Sequence, residues 1–258
     1  MRVSILQITQ KVLSIPLKAY YTEPDLLVFQ DFWKILIGLS ENEISDLLTS
    51  LSSDDKKEIS LKWNKYIKEL ERNKVKDFLN AEKVNSISIL EKEGYAGVLC
   101  EFNLIKDLSS QKRCLMAGSG YHPETLIELK QNYQRIIPVC LDYDTEALKA
   151  SEAYIKQTCS KDISKDFTFI KKRSFDFSYK DENIVLLANG LSNKKKTLLK
   201  IKDTAKTNVN ILLRLPQKAA ILLYEDVSED EIKQIGFSII SKIQPSTLSK
   251  TYLLRSKK

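Results

Sequence analysis

The 258 residues are 43% hydrophobic and 29% charged, with a formal net charge of +7, the balance of an ordinary globular chain and not of a disordered one. No apolar run approaches the ~20 residues of a membrane span, and the first residues lack the apolar core and small-residue cleavage site of a secretion signal, so a cytoplasmic protein is expected. The length exceeds the ~150 residues usual for one domain, which allows one large domain or two modest ones.

Before residue 108 only the first few positions read as extended. Residues 25–39 are rich in apolar side chains and predict a largely buried helix, with Asp25, just after Pro24, as its cap. Ser40 and Glu43 form the S-x-x-E signature of a capping box, followed by Ile44, Leu47, Leu48 and Leu51 on one face. Residues 52–55 restart the pattern, and the next helix carries Ile59, Trp63, Tyr66, Ile67 and Leu70 at three- and four-residue steps. A further helix is expected over 76–93, stopping at Gly94. The aromatic stripe of Phe32, Trp33, Trp63 and Tyr66 reads as core and not as a platform for stacking bases. Residues 1–108 are thus expected to form an all-helical domain.

From residue 109 the character changes. An apolar run over 113–117 breaks at Gly118-Ser119-Gly120, Pro123, Glu124 and Thr125 open a helix, and a second apolar run over 136–141 ends in Asp142. A helix over 145–159 and a strand over 167–170 follow, then a strand over 184–188, a helix over 194–206 and a strand over 209–215 stopped by Pro216. Residues 237–243 and 250–255, joined across Pro245, Ser246 and Thr247, predict a closing antiparallel pair. Strands alternating with helices imply an α/β domain over 109–258, a parallel sheet covered on both faces.

Strand, glycine turn, helix, strand and acid is the order of a nucleotide-type site. Asp142 stands 24 positions after Gly118 (142 minus 118), near the ~20-residue spacing at which an acid on the second strand reaches a ribose hydroxyl. The turn lacks the third glycine that lets helix and strand close around a pyrophosphate, so a phosphate-free adenosyl ligand such as S-adenosylmethionine suits it better. The carboxylate of that ligand would use N–H groups near the helix start. Gly118, Ser119, Gly120, Tyr121, Asp142 and Tyr143 are the residues expected on this edge, with Asp144 capping the next helix. After the third strand, Asp176 would accept from the adenine amino group while Phe175 packs on the ring; a surface aspartate is an equal alternative. Asn189 and Gly190 end the fourth strand at the carboxyl edge, where open α/β sheets hold ligands. Asn189 there offers a carbonyl oxygen to a sulfonium, or simply turns the chain.

Other chemistries find less support. His122 is the single histidine, and no G-x-S-x-G elbow accompanies it, so neither a hydrolase triad nor a metal set is indicated. It touches the ligand or only starts a helix. Cys100, Cys114, Cys140 and Cys159 include no C-x-x-C pair and read as buried thiols. The lysines are scattered, with short basic runs at 171–173 and 194–196. The net charge therefore reads first as a solvated surface, second as a match to an anionic substrate and third as a nucleic-acid footprint.

Taken together, Gly118-Ser119-Gly120-x-x-Pro123-x-Thr125-Leu126 and the strand ending in Asp142-x-Asp144 resemble the nicotianamine synthase family and its bacterial opine-metallophore relatives, the aminobutanoyltransferases. Leu212-Leu213-Arg214, the segment from Ala219 to Tyr224, and Glu93-Gly94-Tyr95 are similar to later and earlier parts of that family. Two departures, Tyr121-His122 after the turn and Leu215-Pro216 after Arg214, bear on the acceptor more than on the cofactor. The resemblance implies a Rossmann-like class I methyltransferase sheet behind a helical domain. It also implies transfer of the 3-amino-3-carboxypropyl group of S-adenosylmethionine to a small amine or amino acid, with release of methylthioadenosine.

On that reading the general base comes from Tyr95, Tyr121, Glu82 or Glu101, through a carboxylate or a tyrosinate-assisted network. His122, Arg214 and Tyr224 face the acceptor, Arg214 as a bidentate carboxylate clamp or else as a cap on the sheet edge. A homodimer is compatible with the sequence. Methyl transfer, cyclisation of S-adenosylmethionine to azetidine-2-carboxylate, and a non-catalytic module that binds RNA or protein are the competing expectations.

Overall fold

The computed structural model describes residues 4–18, 20–80, 100–105, 110, 112–246 and 249–256. Four helices come first: α1 (Ile5–Ser14), α2 (Glu23–Ile37), α3 (Glu41–Ser50) and α4 (Ser53–Asn80). Each begins on a reciprocal side-chain cap, Ser4 with Gln7, Thr22 with Asp25, Ser40 with Glu43 and Ser52 with Asp55, an arrangement that satisfies N–H groups the first turn would otherwise leave open. The Ser4 cap, with Ile8 and Val12 buried on one face, explains why the opening residues are helical where an extended start was expected. Asp25 closes the cap from the third helical position, and Thr22 is the capping residue itself. Residue 76 starts no new helix, because α4 continues unbroken to Asn80. The rest of that expected helix, with Glu82, Gly94 and Tyr95, lies outside the described residues.

The helices bury Phe29, Phe32, Leu36, Ile59, Trp63 and Tyr66 in one core, with Trp33 partly buried at its side. The aromatic stripe is therefore core, as its spacing suggests. Ala219, Leu222 and Leu223, from a short 3-10 turn at Lys218–Leu222, complete the same core from the other half of the chain.

Seven strands form one sheet: β1 (Lys112–Ala117), β2 (Ile136–Asp142), β3 (Thr168–Lys171), β4 (Ile184–Leu187), β5 (Asn210–Pro216), β6 (Phe237–Ser246) and β7 (Ser249–Ser256). Their order is β3-β2-β1-β4-β5-β7-β6. The first five are parallel, and β7 runs antiparallel between β5 and β6. Alternate residues face opposite sides. Cys114, Met116, Cys140, Ile184, Leu186 and Leu212 meet α5 (Glu124–Asn132), α6 (Thr145–Thr158) and Val75 of α4 on one face. Leu115, Ala117, Val139, Val185, Leu187 and Ile211 meet α7 (Lys194–Thr204) and α8 (Glu229–Ile235) on the other. Helix α8 was not foreseen, although Ser228 and Glu231 form the capping box that marks its start. Cys114, Cys140 and Cys159 are buried as expected, whereas Cys100 is exposed. Among the described residues no helix is long and apolar enough to cross a membrane.

Candidate active site

The strand order reverses direction between β1 and β4, and at their carboxyl ends lies the crevice where such sheets bind ligands. Gly118 and Gly120 have φ of +75° and +64°, the left-handed region in which a side chain is strained. The N–H groups of Gly118 and Ser119 donate to the carbonyl of Leu141, and that of Gly120 donates to Oδ2 of Asp142 at 3.0 Å. Oδ1 of Asp142 accepts from the N–H of Asp144 at 3.0 Å. Each carboxylate oxygen thus takes one backbone donor, which sets its orientation and leaves lone pairs for further donors. Asp144 accepts from the N–H groups of Glu146 and Ala147 and so caps α6, as expected.

Helix α4 roofs this turn. A Cβ placed on Gly120 would lie 2.9 Å from Oε2 of Glu71, so only glycine lets that carboxylate rest on the turn. Glu71 also accepts from the N–H of Tyr121. Burial first, and then the charge of Asp142, push its carboxyl up to about 7, in spite of that hydrogen bond and of Lys74. Lys68, one turn earlier, pairs with Asp144, and Arg72 reaches Glu146 at 4.0 Å. These two contacts hold α4 against the start of α6.

The far wall comes from the segment after β5. The Tyr224 hydroxyl accepts from Nε1 of Trp63 at 2.9 Å, and Ser60 donates to the carbonyl of Leu223 at 2.8 Å. A Cβ on Gly190 would meet the Tyr224 ring at 3.8 Å. Burial pushes the Tyr224 phenol up to about 12, and the charge of Glu71 adds to the rise. Asn189, next to Gly190 in the loop after β4, forms the wall facing Tyr224, and its buried Oδ1 has no hydrogen-bond partner among the described residues. A buried acceptor left open in a native fold asks for a ligand or a water to satisfy it.

The structure thus brings together Gly118, Gly120, Asp142, Asn189, Gly190 and Tyr224 of the expected residues. Tyr143 is 63% exposed beside Asp142, at the rim. Ser119 is buried, and its hydroxyl turns to the Cys140 thiol beneath the turn. Tyr121 supplies its main-chain N–H, but its ring is buried and its phenol is raised well above the usual range by burial and by Asp144 and Glu146. A tyrosinate at that position is therefore disfavoured. The His122 ring lies edge-on to Tyr154 at 4.2 Å, with Nδ1 3.3 Å from Glu124, so it packs on α6. Asp176 is exposed, and the Phe175 ring has Arg173 and Lys196 of α7 within 6 Å of its centroid.

Arg214 and Glu101 answer one another. The Arg214 fork donates to Glu101 at 2.9 and 3.0 Å and to the Thr125 hydroxyl at 3.1 Å. Thr251 donates to Glu101 at 2.5 Å, and Glu101 is 2% exposed. The pair is a structural joint between β5, β7, α5 and residues 100–105. The fork is already filled by a carboxylate, so it is no open clamp, and Glu101 is held too firmly by Arg214 and Thr251 of the sheet to serve as a mobile base. A surface depression of about 590 Å³ bordered by Lys130, Arg135, Lys165 and Asp166 lies at the opposite edge, where β2 begins. There Lys130 is tied to the carbonyl of Ile136 at 2.9 Å and to Asp166 at 2.6 Å, which fastens α5 to the start of β2 and is not part of this crevice.

Glu71 and Lys68 were missed because α4 was read for its apolar stripe alone. The row Trp63, Ile67, Glu71 steps by four, so a carboxylate follows two core positions on one face; that is the signal that would have found it.

No protein-family model and no curated protein sequence matches the chain. Among solved structures, the nicotianamine synthase MtNAS in complex with MTA and tNA superposes with a TM-score of 0.77 at 15% identity, over 98% of this chain and 97% of that one. A glutamate-to-glutamine variant of MtNAS in complex with S-adenosylmethionine gives 0.75, also at 15% identity, over 98% and 96%. The magnesium protoporphyrin IX methyltransferase of Synechocystis PCC 6803 with bound SAM gives 0.50 at 13% identity, over 72% of this chain and 97% of that one. The chain therefore has the Rossmann-like class I methyltransferase fold, preceded by helices in the arrangement of that synthase.

Proposed function

We propose that the protein is an S-adenosylmethionine-dependent transferase that moves the 3-amino-3-carboxypropyl group to a small amine or amino acid. The observation that carries this reading is Glu71, a carboxylate with its affinity for protons raised to about 7, held over the glycine turn by a helix outside the sheet. Whichever sulfonium carbon is attacked, an ammonium acceptor must first lose a proton, and a base near neutral suits that task. The likeness to MtNAS covers 98% of the chain and so includes α4.

The residues present fit the co-substrate. Asp142 would accept from ribose hydroxyls, Gly118 and Gly120 allow close approach, and the open Oδ1 of Asn189 would face the positive sulfonium. S-adenosylmethionine supplies a carbon made electrophilic by that sulfonium. Glu71 takes the proton of the acceptor ammonium, nitrogen forms the new bond to the γ-carbon, and the carbon–sulfur pair leaves with methylthioadenosine. Which of the three sulfonium carbons reacts depends on where Glu71 and the Tyr224 wall aim the acceptor. The same reading divides the chain into a helical domain over 1–108 and a cofactor domain over 109–258, in a cytoplasmic protein.

Incubation with S-adenosylmethionine and candidate amines, followed by nucleoside analysis, tests the proposal. Methylthioadenosine together with a product carrying the four-carbon unit is expected. S-adenosylhomocysteine would identify a methyltransferase, methylthioadenosine without an amine adduct would point to cyclisation, and absence of S-adenosylmethionine binding in calorimetry would favour a binding module.

A further inference from the structure

The basic run at 194–196 reads as solvated surface, yet Lys194 has no exposed area. Its ammonium donates to the carbonyl of Asn189 at 2.6 Å and to the carbonyl of Glu225 at 2.8 Å. The Glu225 carboxylate in turn accepts from the N–H groups of Lys194 at 2.9 Å and Lys195 at 3.4 Å, and so caps α7. The residue in the usual capping place, Asn193, is left-handed at φ 62° and makes no side-chain cap. A buried cation at the positive end of a helix is unfavourable on two counts, desolvation and the helix dipole. Three hydrogen bonds centred on residue 194 offset this: one holds the Asn189 carbonyl within the loop after β4, and two reach Glu225 in the loop after β5.

Those loops are the two walls of the crevice. One carries Asn189, Gly190 and Leu191, whose Cδ1 would lie 3.3 Å from a Cβ on Gly118; the other carries Tyr224. With its main-chain carbonyl held by Lys194, Asn189 keeps its side-chain oxygen buried and open. We propose that Lys194 is a positioning residue that fixes the Asn189–Gly190 edge against Tyr224, and thereby presents the Asn189 side-chain oxygen to the sulfonium of the co-substrate. This inference rests on the S-adenosylmethionine reading given above.

Burial lowers the Lys194 ammonium to about 8, against the opposing charges of Glu225 and Asp226 from the facing loop. The neutral amine still has two hydrogens for the two carbonyls but loses the charge that strengthens both bonds. Calorimetric affinity for S-adenosylmethionine is to be compared between wild type and Lys194→Met at neutral and at alkaline pH. The variant should bind about tenfold or more weakly near neutral pH, the scale of losing hydrogen bonds to a charged donor. The ratio should shrink at a pH above about 8, where the wild-type ammonium itself discharges. Packing alone would give a ratio that does not change with pH. Affinity within about twofold of wild type near neutral pH, or a ratio independent of pH, overturns the proposal.

A second measurement separates this outcome from failure of the functional reading. Amide hydrogen exchange over 189–193 and 224–226 should be faster in the variant whether or not any ligand binds. Wild type that binds no S-adenosylmethionine sinks the functional reading, and unchanged exchange sinks the clamp. If methionine prevents folding, Lys194→Gln, which keeps a donor without charge, is read in the same way.

Discussion

At the scale of single residues the crevice is built on two substitutions that should separate activity from stability. Glu71→Gln keeps the shape and removes the base, so kcat should fall by about 10² to 10⁴ while S-adenosylmethionine still binds; steady-state kinetics with calorimetry checks this. Its stability should change the other way. The Glu71 carboxyl is raised from 4.5 to about 7 in the fold, so between those values the folded chain binds the extra proton and stability falls as pH rises. The glutamine variant is therefore expected to melt with wild type near the bottom of that window and a few degrees higher above pH ~7, where wild type carries the buried charge. An equal difference at both ends would show that Glu71 is not perturbed. Gly120→Ala should cost about 1 to 2 kcal/mol of stability for the left-handed backbone but a much larger share of activity, since the new methyl displaces the Glu71 carboxylate. Urea melts and kcat/KM measured on one preparation distinguish the two losses.

At the scale of elements, α4 matters through its contacts. It holds the crevice from above through Lys68 to Asp144, Arg72 to Glu146 and Trp63 to Tyr224. Tyr224→Phe leaves the Trp63 indole N–H without its acceptor and should cost about 1 to 3 kcal/mol, with a shift in Trp63 fluorescence; unchanged emission and stability would show that the bond is not maintained in solution. The elements themselves were legible in the sequence wherever a local rule decides them. The period of apolar residues placed every strand of the sheet, and the capping signatures at Ser40–Glu43 and Ser52–Asp55 placed α3 and α4. Helices α1 and α8 escaped although the boxes of Ser4 with Gln7 and Ser228 with Glu231 mark their starts, because those signals were not read. The site was half legible for a related reason. Gly118, Gly120, Asp142, Asn189 and Gly190 belong to the sheet edge and follow from its order. Glu71 and Lys194 become site residues only when α4 and the loop after β5 fold over that edge. Arg214 shows the converse: a fork at a strand end looks like a substrate clamp until the partner carboxylate of Glu101 is placed against it.

At the scale of the whole molecule, the Glu101–Arg214–Thr251 joint ties together parts of the chain that are far apart in sequence. Breaking one member leaves a buried charge alone, so Arg214→Met should destabilise by about 3 to 5 kcal/mol, and the double change Glu101→Leu with Arg214→Met should recover most of it. Chemical denaturation of the two variants reads this directly. If Arg214→Met instead folded as well as wild type and lost only acceptor binding, the arginine would be a clamp after all.

The same joint governs the order in which the chain can be completed during synthesis. Glu101 leaves the ribosome 113 residues before Arg214 and 150 before Thr251. Until β5 emerges, its carboxylate has neither partner, and a buried position for it is prohibitively costly; Arg214 then supplies the charge and Thr251 of β7 the last hydrogen bond. The nascent protein is thus held from committing its middle segment to the sheet while earlier strands are already made. Chains arrested short of Arg214 should remain open to protease around residue 101, and resistance should rise once β5 has been added and be complete only with β7.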